Sequence, residues 1–137
     1  MIKLIVLYLS IIMASYAQQP TWDITVKVTD ASSNSGKMFI AVYDSKDAFL
    51  KDTFVGERSL IEDNSCKVTF KDIPKGEYAV SVFHDENDNG EMDTNLFGVP
   101  KEDYGCSNGA KGFMGPPKWE DAKFTLADAN ETIHIKL

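Results

Sequence analysis

The chain has 137 residues, with 21 acidic against 14 basic side chains and a formal charge of −7. An acidic chain with no Lys/Arg cluster argues against nucleic acid or an anionic membrane as partner, because both need positive charge against phosphate. A 43% hydrophobic share at this length is enough for one domain with a real core.

Met1-Ile2-Lys3 is a short basic start, and Leu4 to Ala14 is apolar apart from Ser10. Ser15-Tyr16-Ala17 offers small residues for cleavage before Gln18. The run is short for a membrane span, so residues 1–17 read as a signal peptide rather than a first buried strand. The expectation is an exported protein, periplasmic or extracellular, whose domain is 18–137 and which inserts in no membrane after cleavage.

Trp22, Ile24, Val26 and Val28 alternate with polar residues, the period of a half-buried strand. The serine-rich stretch from Asp30 to Gly36 is a turn, and Met38 to Tyr43, apolar on both faces, reads as a central strand. Ser45 can cap a short helical turn through Leu50, and Phe54 to Ile61 is a weak edge strand. Val68 and Phe70 mark the next strand. Asp72-Ile73-Pro74-Lys75-Gly76 has strong turn chemistry. Tyr78, Val80 and Val82 form a further strand that leads into His84. Ala122-Phe124-Leu126 and Ile133-Ile135-Leu137 read as a closing hairpin turned at residues 127–131, where Asn130-Glu131-Thr132 is a turn rather than a glycosylation site. Seven short strands with almost no helix predict an all-β fold, a seven-stranded Greek-key β-sandwich.

Residues 85–119 interrupt this order with six glycines and three prolines and without a strand or helix pattern. A connection that long is disordered or functional. Its aromatics, Phe97, Tyr104, Phe113 and Trp119, argue for an ordered crossover loop. They either anchor the loop to the core or line a groove for a sugar or a peptide.

The loop opens with Asp85, Asn87, Asn89, Gly90 and Asp93, the D-x-N-x-N-G-x-x-D spacing of a calcium loop. Asp85, Asn87, Asn89 and Asp93 would give side-chain oxygens and Glu91 its backbone carbonyl. The alternative is a metal-free turn, since Asn and Asp bond to their own backbone. The EF-hand pattern needs a bidentate glutamate at the twelfth place, which here is Leu96, so Asn95 or Glu102 would supply the missing oxygens. His84 lacks the partners of a zinc site and is expected to orient the loop through a loop carbonyl or carboxylate. Cys66 and Cys106 either form one disulfide, as an oxidising compartment favours, or stay as two buried thiols. A small hydrolase would use His84, the adjacent carboxylates and Cys106-Ser107, but no catalytic signature surrounds them.

The run Phe70-Lys71-Asp72-Ile73-Pro74-Lys75-Gly76-Glu77-Tyr78-Ala79-Val80 is followed by Phe83-His84-Asp85-Glu86-Asn87 and by Asn89-Gly90-Glu91-Met92-Asp93-Thr94-Asn95. With Gly98-Val99-Pro100-Lys101-Glu102, Tyr104-Gly105, Ser107-Asn108, Gly115-Pro116-Pro117 and Phe124, the chain from Val26 onward resembles the secreted bacterial proteins of domain-of-unknown-function family 2141. The resemblance implies an export signal, a transthyretin or immunoglobulin-like β-sandwich and no defining enzymatic activity. Its pattern asks for no cysteine at 66 or 106. Pro74-x-Gly76-x-Tyr78 is also similar to small transthyretin-like modules in which the tyrosine ring fills the sandwich edge and its hydroxyl bonds to backbone. The reading is a small exported non-enzymatic module with a calcium loop, and an unknown protein or carbohydrate as partner.

Overall fold

The computed structural model describes residues 18–137, so the expected signal peptide lies outside the described residues. Eight strands make two sheets: β1 Thr21–Thr29, β2 Lys37–Tyr43, β3 Val55–Ser59, β4 Cys66–Pro74, β5 Gly76–Asp85, β6 Tyr104–Cys106, β7 Phe124–Leu126 and β8 Glu131–Lys136. The smaller sheet runs β4-β1-β8. The larger runs β3-β2-β5-β6, with β7 also paired to β5. The expectation of an all-β chain holds. Among the described residues no helix is long and apolar enough to cross a membrane.

The alternating positions of β1, Ile24, Val26 and Val28, face Met38, Ile40 and Val42 of β2 and Tyr78, Val80 and Val82 of β5 in one core. The opposite faces of β2 and β5 are half covered: Tyr43 and Ala79 are buried, while Phe39, Ala41, Ser81 and Phe83 are half-buried. Tyr43, Phe49, Ala79, Cys106, Ala110, Trp119 and Ala122 form a second apolar cluster there. Tyr78 is 4% exposed and its hydroxyl donates to the Pro74 carbonyl at 2.7 Å, as its place after the turn predicts. Ser45 Oγ accepts the Ala48 amide, although residues 45–50 form turns and no helix.

Three expectations are corrected. The crossover is not structureless: it contains β6, a 3-10 turn at Ser107–Gly109 and the helical turn α1 Trp119–Ala122, which takes Ala122 out of the strand assigned to it. This supplies the eighth strand. The closing hairpin does not form, because β7 pairs antiparallel with the start of β5 while β8 pairs parallel with β1. Two neighbouring strands separated by a turn therefore enter different sheets, and alternation alone does not choose a partner. The disulfide is absent. Cys66 sits half-buried on β4 of the smaller sheet, Cys106 is buried in the second cluster against the larger one, and both are free thiols.

Candidate metal centre

Asp85 is the last residue of β5 and is fully buried, so the strand fixes the first oxygen of the acidic loop. Its Oδ2 accepts the Gly90 amide at 2.8 Å and its Oδ1 the Asn89 amide at 3.2 Å. Asp88 and Gly90 have positive φ, which curls residues 85–90 around that carboxylate. Asn87 Oδ1 accepts the Asn89 amide and Asn89 Oδ1 accepts the Glu91 amide. The Nδ2 groups of Asn87 and Asn89 both donate to Asp93, one to each carboxylate oxygen. Two N–H donors thus converge on Asp93, the electrostatic place of a cation.

Asp93 and Glu102 face each other across the base of a finger, residues 93–102. The Lys101 amide donates to the Asp93 carbonyl, and the Asp93 amide donates to Glu102 Oε2. Glu102 is 9% exposed, and its second oxygen, Oε1, is buried with no hydrogen-bond partner among the described residues. Burial pushes the Glu102 carboxyl above its ordinary value, and the nearby charges of Asp93 and Asp85 push it further, against the Asp93 amide, which lowers it. Asp85, Asp93 and Glu102 therefore form one electrostatic neighbourhood. Among the described residues no three His, Cys, Asp or Glu groups already stand at metal-holding spacing, and part of this loop's oxygen comes from asparagine. Glu91 is exposed. Asn95 is engaged elsewhere: its Oδ1 accepts the Phe97 and Val99 amides and shapes the fingertip.

His84 is fully buried. Its Nε2 donates to the Ser35 carbonyl at 2.6 Å, its Nδ1 lies 3.5 Å from Ser32 Oγ, and its amide donates to the Asp103 carbonyl. It joins the β1–β2 turn, β5 and the end of the finger. Glu86 accepts the Ser32 and Ser33 hydroxyls, which hold its carboxyl below the ordinary value. Gly36, at φ +69°, lies so near Asp85 that a Cβ would meet its carbonyl oxygen at 1.8 Å. Sequence reading saw only a serine-rich turn here; nothing in its spacing shows that it walls the acidic loop.

The hydrolase arrangement is not assembled. Ser107 is fully buried, donates to the Ala122 carbonyl at 2.6 Å and accepts the Val80 amide at 2.9 Å, with no bond to His84. Burial pushes the Cys106 thiol up to about 11 and also raises Cys66, which lowers the share of reactive thiolate.

The aromatics divide. Trp119 does not line a groove: it is buried edge-on to Phe49 at 5.9 Å and anchors the crossover. Phe97 and Tyr104 border an apolar groove of about 760 Å³ between the outer face of β5–β6 and two lips, Phe97–Pro100 and Met114–Pro117. Phe113, beside the second lip, is 91% exposed.

These features define a class: a small all-β protein of two sheets whose long crossover carries an oxygen-rich loop and a groove. The family model described as an uncharacterized protein conserved in bacteria, DUF2141, matches residues 26–134, and the chain belongs to that family. No curated protein and no solved structure matches it.

Proposed function

We propose that this protein is a small exported module, periplasmic or extracellular, that binds or scaffolds rather than catalyses, and that calcium braces its crossover. Glu102 carries this reading: a buried carboxylate with an orphan oxygen, next to two further carboxylates. An unpaired buried oxygen is costly, and a hard cation ligated by oxygens removes that cost. Asp85, Asp93 and Glu102 would supply charge and Glu91 its carbonyl, and Asn87 and Asn89 would turn their amide oxygens from the Asn89 and Glu91 amides to the metal. Magnesium fits less well, because it gives up its water reluctantly. The scaffold is then a Greek-key sandwich of the transthyretin or immunoglobulin-like kind, a reading that Tyr78 at the turn supports. With neutral asparagines among the ligands, the affinity should be on the order of 0.1 to 1 mM.

The test is the melting temperature in chelator and in millimolar calcium. Calcium should raise it, because a ligand that binds only the native state stabilises that state. Glu102→Gln should melt no lower than the parent in chelator, since it removes buried charge, and should lose most of the calcium response. Asp85→Ala should abolish the response. A parent chain whose melting temperature ignores calcium sinks the reading.

The groove supports a second reading, a site for a peptide or sugar. Among its lining side chains the polar groups are the hydroxyls of Tyr43, Ser81 and Tyr104 and the Cys106 thiol, and the first two hydroxyls bond to each other at 3.1 Å. That chemistry favours a peptide's apolar side chains over a sugar.

A further inference from the structure

Four large apolar side chains of the crossover point the wrong way for a folded domain. Leu96 is 101% exposed, Phe97 90%, Phe113 91% and Met114 94%. They sit at the tips of two loops, the finger and residues 111–118, and these loops form the two lips of one groove. Scattered exposed apolar residues are ordinary, but four nearly bare ones on adjacent tips mark a surface that meets something apolar. Lys101, Lys111 and Lys118 lie in the same two loops, all exposed, and among the described residues none of them is in an ion pair. Unpaired cations beside apolar tips match the boundary between anionic headgroups and acyl chains.

The acidic loop lies at the base of the finger. Without a cation its carboxylates repel phosphate. Calcium takes six to eight oxygens in all, so the six donors proposed above leave up to two places open. A phosphate oxygen from outside can fill that deficit.

We propose that the two crossover tips dock on an anionic lipid surface in a calcium-dependent manner, with Leu96, Phe97, Phe113 and Met114 entering the headgroup boundary and the metal bridging loop and phosphate. The proposal rests on the calcium reading above. Net charge alone argues against such a surface; the docking relies instead on the exposed Lys101, Lys111 and Lys118 in the two loops and on the bound cation.

The experiment uses the chain from Gln18, which contains every described element, and co-sedimentation with vesicles. Vesicles of phosphatidylglycerol with phosphatidylcholine are compared with phosphatidylcholine alone, each in calcium and in chelator. Melting temperature is measured in parallel. Anionic vesicles should bind roughly tenfold more protein in calcium than in chelator, and neutral vesicles little in either. The variant Leu96→Ser, Phe97→Ser, Phe113→Ser, Met114→Ser should lose that binding yet keep the calcium-dependent melting shift, since its changes are on exposed tips. A calcium shift in melting without vesicle binding overturns docking and leaves the metal reading standing. Equal binding in chelator overturns the metal bridge. Calcium-dependent self-association that the variant abolishes, with no vesicle binding, assigns the tips to a second copy and overturns the lipid surface. If calcium moves neither melting nor binding, the metal reading fails and docking fails with it.

Discussion

The two-sheet body and the crossover are built with opposite polarity. In the body Ile24, Val26, Met38 and Val80 are fully buried and the charges lie outside. In the crossover Asp85 and Glu102 are buried while Leu96 and Met114 are bare. Burial of apolar surface drives folding, and buried carboxylates oppose it. The body is thus arranged for stability, and the crossover holds stored electrostatic cost and unburied apolar area, the two terms that a ligand can relieve.

The contrast breaks most sharply under truncation. Ile40→Ala should lower unfolding free energy by about 3 to 4 kcal/mol, whereas Leu96→Ala should change it by less than about 0.5 kcal/mol, both read from urea midpoints. Similar losses at the two sites would mean that Leu96 is not exposed in solution.

A thiol should report the second cluster. The Cys106 value near 11 lies above that of an unfolded cysteine, about 8.5. Below the lower value both states hold the proton and the full stability is present. As pH rises through the window toward 11, only the unfolded thiol ionises, and about 3 kcal/mol is lost. Urea unfolding from pH 8 to 11 measures this, and Cys106→Ala should flatten the slope. An unchanged slope would show that Cys106 is not buried as described. In the native protein at neutral pH, a thiol reagent should reach Cys66 before Cys106.

At the seam between the regions, Gly36→Ala should cost about 2 kcal/mol or more, because its positive φ and the Asp85 carbonyl both oppose a side chain. A neutral effect would show that the β1–β2 turn and the acidic loop can separate freely. The smallest ligand effect is the metal's: calcium at tenfold its dissociation constant should add about 1.4 kcal/mol, seen in the parent and lost in Asp85→Ala.

The same polarity contrast explains what was legible in the sequence. Period-two alternation marked β1, β4 and β5, and the all-apolar Met38 to Tyr43 marked β2 as a central strand, between β3 and β5. Alternation could not say that Leu126 returns to Gly76 while Glu131 goes to Ile24. It missed β6, which is three residues long with a central glycine, where a Cβ would strike Ile135 at 2.6 Å. In the loop, spacing gathered Asp85, Asn87, Asn89 and Asp93, because those contacts are local. Gly36, Ser32 and Ser35 escaped notice, because they meet the loop only through the turn between β1 and β2. The disulfide was read from compartment chemistry, and cysteine counts contain no information on which sheet each cysteine joins.

The parallel pairing of β8 with β1 has a consequence for how the chain acquires its shape. The Asp23 amide and Asn130 Oδ1 that lock this edge are 107 residues apart. During synthesis β1 therefore has no neighbour on that side until almost the whole sequence exists. Long-range closure of this kind is slow, so the β1–β8 edge forms late in folding, whereas the β1–β4 edge needs only about the first half of the chain.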